Sequence, residues 1–419
     1  MDSFILQGNI VEAPSFGALK ITEHGFLVVE DGRIAGVFSA LPARFAPFRR
    51  IDYGDKLILQ SLCDLHAHAP QYPMVGLGTD LPLLEWLERY AFPAEARFAE
   101  ADYARAVSRR LARDLIRSGT TRVCLFSSLH REATLILMEE LEAAGLTGYV
   151  GKVNMDRNGG ARLQETTEES ERETLLWLDA CSRFAHIKPI LTPRFTPSCT
   201  DALMAFLGRL AAERHLPVQS HLSENQQEIA WVRSLHPDCA RYWESYHKFG
   251  LWTDRTLMAH CVHSDAQERA AMRRFGVTAV HCPDSNNALC SGIAPVRTLV
   301  QEGVRVALGS DVAGGGHLSM FDVAADAVRA SKNRRILDQW QSGFLSEAEA
   351  WYLATSAGAA FFGAAPGFSP GAPLHALVLD DADLLAPHPL SVQERFQRCL
   401  YQRQDGAVCA VWSESRQLL

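Results

Sequence analysis

Two histidines, His66 and His68, lie two positions apart in the segment DLHAH, behind an aspartate and an apolar run. In an extended strand, residues i and i+2 point to the same side, so both imidazoles could bind one ion. Such a pair is weak evidence by itself, because short motifs often occur by chance. Whether it belongs to a metal site depends on the other ligands that the chain supplies.

The elements that would position such ligands alternate regularly between about residues 60 and 365. Short apolar strands such as TRVCLF alternate with helical segments such as TDALMAFLGRLAAERH. Eight strands of this kind, most of them followed by a helix, predict an α/β fold with a parallel sheet. We expect this sheet to close into a (β/α)8 TIM-like barrel.

The two ends of the chain lack this alternation. The N-terminal end contains strand-like segments with a hairpin turn at EDGRI, and the C-terminal end contains APLHALVLD and AVCAVWSE around a proline-rich loop, LLAPHPL. We expect both ends to form one small β-sandwich domain. The predicted organisation is therefore 1–60 and 366–419 for the small domain and 61–365 for the barrel.

Composition limits the function further. The 419 residues are 47% hydrophobic and 21% charged, as in ordinary globular proteins. The net charge of −8 argues against a nucleic-acid surface, which needs a basic face. We expect no membrane span and no secretory signal, because no apolar run reaches roughly 18 residues and the start MDSFILQGNI lacks a basic region. Ten cysteines without a C-x-x-C pair favour a cytoplasmic location.

Further candidate ligands lie at the carboxyl ends of the predicted barrel strands, where barrel enzymes carry their active sites. His221 ends PVQSH, His260 ends LMAH and Asp311 ends VALGSD. Together with His66 and His68, these residues would lie at one rim and predict a metal site. Imidazoles with one carboxylate favour Zn²⁺, with Fe²⁺ as an alternative.

Other histidines at this rim are more typical of hydrogen-bonded or solvated side chains than of ligands. They are His281 at the end of the seventh strand and the loop residues His130 and His317. Lys188 stands at the beginning of the fourth strand, whereas a lysine that bridges two metals would stand at its end. We therefore expect one metal ion per chain.

A water on the open position of such a metal has a pKa of about 7 and needs a proton shuttle. Glu224 is the candidate, because it lies three residues past His221 in SHLSEN. The alternative is an acidic residue that caps a helix N-terminus. Asp311 could both bind the metal and accept the proton of the water.

These motifs resemble those of the amidohydrolase superfamily and, within it, the branch that deaminates guanine. The resemblance covers about residues 60 to 365. The ligand motifs are shared by relatives that act on cytosine, triazines or adenine compounds. Three other motifs are more specific to the branch that deaminates guanine: LPLLEWL, FPAE and TPRF. Two departures stand out: Gln60 and Ser61 replace the usual Pro-Gly, and GAPLHALVL replaces the usual Gly-x-x-Ala-Asp turn.

The resemblance implies hydrolysis of a C–N bond in guanine, giving xanthine and ammonia in purine catabolism. It assigns one zinc ion per subunit to four ligands, His66, His68, His221 and Asp311. His260 would orient the attacking water or complete the metal shell. Glu224 would protonate a ring nitrogen beside C2 and help ammonia to leave. The resemblance also implies a homodimer.

For the purine itself, the resemblance implies binding by Gln71, Arg194 and Phe195. Leu84 and Trp86 would extend the apolar wall that a flat heterocycle needs. An arginine that donates to the six-oxo group also rejects adenine, whose amino group would leave it unpaired. The segment 79–98 either covers this pocket or forms a packed amphipathic helix with Trp86 in the core.

Three other functions compete with this hypothesis. The first is an amidohydrolase that acts on a different amino- or halo-substituted ring. The second is a non-catalytic scaffold, which the intact ligand set and Glu224 disfavour. The third is a nucleic-acid deaminase, which would need an H-x-E…P-C-x-x-C zinc site that the sequence lacks.

Overall fold

The structure of the protein is a computed structural model that describes residues 3–160 and 162–419. Its strands are β1 (Phe4–Ser15), β2 (Ala18–Glu30), β3 (Arg33–Phe38), β4 (Arg49–Gln60), β5 (Leu62–His68), β6 (Thr120–Phe126), β7 (Thr147–Gly151), β8 (Val153–Asn154), β9 (Ile187–Pro189), β10 (Thr192–Pro193), β11 (Val218–Leu222), β12 (Thr256–His260), β13 (Thr278–His281), β14 (Arg305–Leu308), β15 (Ala376–Leu379), β16 (Val408–Ser413) and β17 (Arg416–Gln417).

The α-helices alternate with the strands from β6 onward. They are α1 (Leu83–Trp86), α2 (Phe92–Ala96), α3 (Ala101–Arg117), α4 (Arg131–Ala144), α5 (Thr167–Ala180), α6 (Asp201–Arg214), α7 (Gln226–Leu235), α8 (Glu244–His247), α9 (Ala266–Phe275), α10 (Pro283–Ala288), α11 (Val296–Gln301), α12 (Met320–Leu337), α13 (Glu347–Ala354), α14 (Ser356–Phe361) and α15 (Val392–Tyr401). A π-helical turn, Leu87–Ala91, joins α1 to α2. Within the described ranges, no helix combines the length and the apolar character that crossing a membrane requires.

Two parallel four-stranded sheets form the centre of the molecule. Their strand orders are β5-β6-β7-β9 and β11-β12-β13-β14, and β8 and β10 form a further parallel pair. A parallel bridge between Leu191 and Val218 links the first group of strands to the start of β11. On the other side, the His68 N–H donates to the Val312 carbonyl at 2.9 Å and joins β5 to the segment after β14. The predicted α/β class is confirmed.

The strands end where the candidate ligands were expected. His68 is the last residue of β5 and His260 the last residue of β12, while His221 is the penultimate residue of β11. Asp311 follows the end of β14. Because the strands are parallel, their carboxyl ends meet on one side of the sheets, and these side chains are brought together there.

The strands predicted at the two chain ends lie in a single seven-stranded sheet with the order β17-β16-β15-β4-β1-β2-β3. Asp31 and Gly32, with φ of 50° and 77°, form the expected hairpin turn between β2 and β3. The segment LLAPHPL is a loop, as predicted. The helix α15 that follows it is missing from the predicted elements, although Ser391 and Glu394 form a capping box at its start.

The two departures from the superfamily pattern meet at the amino ends of β5 and β6, opposite to the candidate ligands. The Ser61 N–H donates to the His375 carbonyl at 3.2 Å, and Ser61 Oγ lies 2.6 Å from Thr121 Oγ1. The His375 ring bridges Thr121 Oγ1, at 2.9 Å, and Glu414 Oε1, at 3.0 Å. Burial lowers the pKa of His375 to about 4, so the ring is neutral at pH 7.

His375 should make the stability of the protein depend on pH. Between about pH 6.5 and pH 4 the unfolded chain binds a proton at this residue that the folded chain does not, so the free energy of unfolding falls as the pH falls. From pH 7.5 to pH 5 this contribution is about 2 kcal/mol. His375→Asn should cost about 1–3 kcal/mol at pH 7.5 but abolish this part of the decline.

Urea denaturation at both pH values measures the effect. His388→Asn is the matched control, because His388 is exposed and its replacement should leave the pH dependence unchanged. If the free energy of unfolding of His375→Asn falls as steeply with pH as that of the wild type, the buried His375 ring does not cause this part of the pH dependence.

Candidate active site

Four side chains from three strand ends converge in the spacing of a metal site. His68 Nε2 lies 3.2 Å from His221 Nε2. Asp311 Oδ1 lies 3.1 Å from His66 Nε2 and 3.4 Å from His68 Nε2. In a tetrahedral site with metal–ligand bonds of about 2.0–2.1 Å, neighbouring ligand atoms are about 3.3 Å apart. His66, His68 and His221 form one group whose ligand atoms lie within 4.8 Å of one another, and His66, His260 and Asp311 form a second. Because the two groups share His66 and all of these side chains are buried, they could together hold one metal ion.

The protonation of these groups also fits a divalent cation. His221 Nδ1 lies 2.6 Å from the Arg194 carbonyl, so Nδ1 carries the hydrogen and the Nε2 lone pair faces His68. Burial lowers the pKa of His68 and His221 well below the ordinary value, which keeps both rings neutral. Burial opposes the ionisation of Asp311, but the neighbouring histidines hold its pKa well below the usual range. Neutral nitrogens with one anionic oxygen suit Zn²⁺.

His260 lies between two carboxylates at the edge of this cluster. Its Nε2 is 3.4 Å from Glu224 Oε2 and 3.8 Å from Asp311 Oδ2, and its Nδ1 is 2.9 Å from Asn286 Oδ1. Burial lowers the pKa of His260, but the two carboxylates outweigh this effect and raise it. Its backbone has a φ of 74°, a region that non-glycine residues rarely adopt and that is common at functional sites.

Glu224 is buried and faces the same space. Ser291 Oγ donates to Glu224 Oε1 at 3.1 Å, and the Glu224 N–H donates to Glu228 Oε2 at 2.9 Å. The cap of α7 is Asn225, with Glu228 as its reciprocal partner, so Glu224 is not the capping residue that the alternative supposed. Burial raises the pKa of Glu224 to about 7, which suits a group that accepts and returns a proton near neutral pH.

A cavity lies beside these groups. Of the side chains predicted to bind the substrate, Gln71, Arg194, Phe195 and Trp86 line it. Leu84 does not line it, and this part of the prediction is corrected. On a helix, residues three and four apart share a face, so Leu83, Leu87 and Trp86 point to the cavity while Leu84 lies about 100° away.

The segment 79–98 has both of the roles that the sequence left open. It contains α1, the π-helical turn and α2, and it forms one wall of the cavity. Trp86 is buried in the main hydrophobic core, and its Nε1 donates to the Leu77 carbonyl at 3.0 Å. The segment therefore covers the cavity and is also packed into the core.

The remaining rim histidines lie outside the cluster. Among the described residues, His281 and His130 belong to none of the groups whose ligand atoms come within metal-binding distance of one another. His317 is exposed, and its group contains only Asp284 and Asp326. Burial lowers the pKa of His281 to about 3, so this side chain is a neutral core residue.

One buried residue at the cavity, Glu95, is absent from the predicted site. Its carboxylate accepts hydrogen bonds from Arg194 Nη1, at 2.6 and 2.7 Å, and from Gln71 Nε2, at 2.8 Å. The available signal was the acidic residue of FPAE, inside an otherwise apolar segment. Its partners lie on distant parts of the chain, so no local pattern identifies them.

An α/β fold with candidate histidine and aspartate ligands at its strand ends is typical of metal-dependent hydrolases. The model of the amidohydrolase family matches residues 57–387, and the chain belongs to this family.

The resemblance to guanine deaminases is also confirmed. The guanine deaminase of Dictyostelium discoideum is 41% identical over 310 residues, which are 74% of this chain and 69% of that protein. The guanine deaminase of Escherichia coli (strain K12) is 33% identical over 367 residues, which are 86% of this chain and 82% of that protein. The crystal structure of guanine deaminase from C. acetobutylicum with bound guanine in the active site has a TM-score of 0.97 at 41% identity, and the match covers 100% of both chains.

His221→Ala should lose most of the bound zinc, because it removes one of four candidate ligands. Metal content after dialysis against zinc, measured by mass spectrometry, checks this. His281→Asn is the matched control, since His281 ends the strand two places along from β11 and should leave the zinc content unchanged. Unchanged zinc in His221→Ala would remove this residue from the site.

Proposed function

We propose that this protein catalyses the hydrolytic deamination of guanine to xanthine and ammonia. One observation carries the proposal: Arg194, Gln71 and Glu224 line a single cavity directly beside the His/Asp cluster. A donor for an oxo group, an amide for a ring edge and a proton-transfer group are the parts that this reaction needs. The relatives named guanine deaminase support the same substrate.

We propose His66, His68, His221 and Asp311 as the ligands of a single zinc ion, with Fe²⁺ as the alternative metal. When bound there, zinc would lower the pKa of a water to about 7 and supply hydroxide at neutral pH. Glu224 is placed to accept a proton at Oε2, to transfer it to the ring nitrogen beside C2 and then to assist the departure of ammonia. His260, 3.4 Å away, orients the same carboxylate and the attacking water.

The cavity also explains how the purine would be held. Phe195 and Trp86 provide apolar surface for the faces of the ring. Arg194 donates to the six-oxo group, and the amide of Gln71 contacts the ring edge. Adenine has an amino group in place of the oxo group, so it would offer no acceptor to the guanidinium N–H groups that do not bind Glu95.

For the architecture, we propose that the parallel strands of residues 61–365 close into one (β/α)8 barrel. Hydrogen bonds at both seams support closure. At one seam the Leu191 N–H donates to the Pro217 carbonyl and the Gln219 N–H donates to the Leu191 carbonyl, both at 2.9 Å, and at the other the His68 N–H donates to the Val312 carbonyl. We propose that 1–60 and 366–419 form the small β-sandwich domain. Irregularities after Gly8 in β1–β2 and after Gln7 in β1–β4 lie at one level of the sheet, where bulges would bend it into two layers.

Two further proposals concern the setting of the enzyme. A homodimer rests on the resemblance to guanine deaminases. A cytoplasmic location rests on the cysteines, which are free thiols and mostly buried.

Purified, zinc-loaded protein should convert guanine to xanthine, which ultraviolet absorbance measures. Adenine, cytosine and melamine test the alternative that another amino-substituted ring is the substrate. Glu224→Gln should keep the zinc but lower kcat by about 10²- to 10⁴-fold, because an amide cannot accept the proton.

If the protein converts adenine but not guanine, guanine is not its substrate. If the zinc-loaded protein converts none of these compounds, the result favours a non-catalytic scaffold. A Glu224→Gln variant with kcat close to that of the wild type would show that the proton is transferred elsewhere.

A further inference from the structure

Glu95 lies behind the wall of the cavity. It belongs to α2, in the segment that covers the cavity, and it is completely buried. It does not line the cavity itself, whereas both of its side-chain partners, Arg194 and Gln71, do. Glu95 can therefore affect a bound purine only through these two residues.

Its contact with Arg194 fixes the guanidinium. Nη1 lies 2.6 and 2.7 Å from the two carboxylate oxygens, and both side chains are almost fully buried. Phe92, at the start of α2, packs against the same group, with its ring centroid 5.1 Å from the guanidinium carbon. Other carboxylates line the same cavity, Glu224 and Asp311 among them, and would attract an arginine that lacked this partner.

Its contact with Gln71 fixes the direction of an amide. Gln71 Nε2 donates to Glu95 Oε1 at 2.8 Å, and Gln71 Oε1 accepts from the Ala313 N–H at 3.3 Å. A flipped amide would place its oxygen against the carboxylate and its NH₂ against the Ala313 N–H, so it would lose both hydrogen bonds. The carboxylate therefore determines which amide atoms remain available to the ring.

We propose that Glu95 is a positioning residue that sets the specificity for a six-oxo purine, an inference that rests on the proposed function. It holds the guanidinium of Arg194 where the oxo group needs a donor, and it holds the Gln71 amide in one orientation. Because Glu95 lies on the covering segment, the apolar wall and the polar recognition groups depend on the same short stretch of chain.

The test compares Glu95→Gln with the wild type on guanine and 2-aminopurine. Both substrates carry the amino group that leaves, but 2-aminopurine lacks the six-oxo group. For guanine, kcat/KM should fall by about 10- to 100-fold, mainly through KM, because a misplaced arginine loses a charged hydrogen bond. Any loss through Gln71 affects both substrates, whereas the loss through Arg194 affects guanine alone. The ratio of kcat/KM for guanine to kcat/KM for 2-aminopurine should therefore fall about tenfold or more.

A matched control is Glu165→Gln. Glu165 also forms a buried ion pair, at 2.8 Å from Lys152 Nζ, and neither residue lines the cavity. This variant should lose stability without changing the ratio of the two substrates. Arg194→Met should lower the ratio, and adding Glu95→Gln to it should produce little further change, because the two act as one unit.

Zinc content and thermal unfolding establish that each variant is folded and loaded. If Glu95→Gln does not fold, Glu95→Asp, which keeps the charge but shortens the side chain, should lower the ratio to an intermediate value. A ratio equal to that of the wild type, or an equal loss for both substrates, would overturn the role of Glu95. A wild type that does not deaminate guanine would instead reject the proposed function itself.

Discussion

Ionisable side chains buried within 3.1 to 3.4 Å of one another are the feature on which the rest of this structure depends. Burying an imidazole or a carboxylate is costly unless a partner compensates for the lost hydration. Here burial keeps His68 and His221 neutral, while Asp311 stays ionised beside them. Such a combination would destabilise a hydrophobic core, but its neutral nitrogens and single anionic oxygen suit a cation site. It exists because parallel strands bring residues that are far apart in the chain to one edge.

The covering segment links this cluster to the chemistry. It forms one wall of the cavity that Glu224 also lines. Burial raises the pKa of Glu224 to about 7, where a carboxyl group can accept and return a proton. The same segment supplies Trp86 to the cavity wall and Glu95 to Arg194 and Gln71, the groups that we propose recognise the substrate. In the proposed function, the apolar wall and the polar groups that hold the purine therefore depend on one element of the chain.

The sequence predicted the α/β class and the position of the candidate ligands at strand ends, because short apolar strands alternate regularly with the helices between them. It could not predict that Leu83 rather than Leu84 faces the cavity, since this depends on where α1 begins. It also could not pair Glu95 with Arg194, because these residues are 99 positions apart. The helix α15 could have been predicted from the sequence, since Ser391 and Glu394 have capping-box spacing.

The most direct test of the account is an anomalous difference map, recorded at the zinc absorption edge from crystals of the zinc-loaded protein. We expect one peak, at about 2.0–2.2 Å from Nε2 of His66, His68 and His221 and from a carboxylate oxygen of Asp311. A peak at another place, a second peak of equal height beside the first, or no peak with these four side chains turned apart would contradict it.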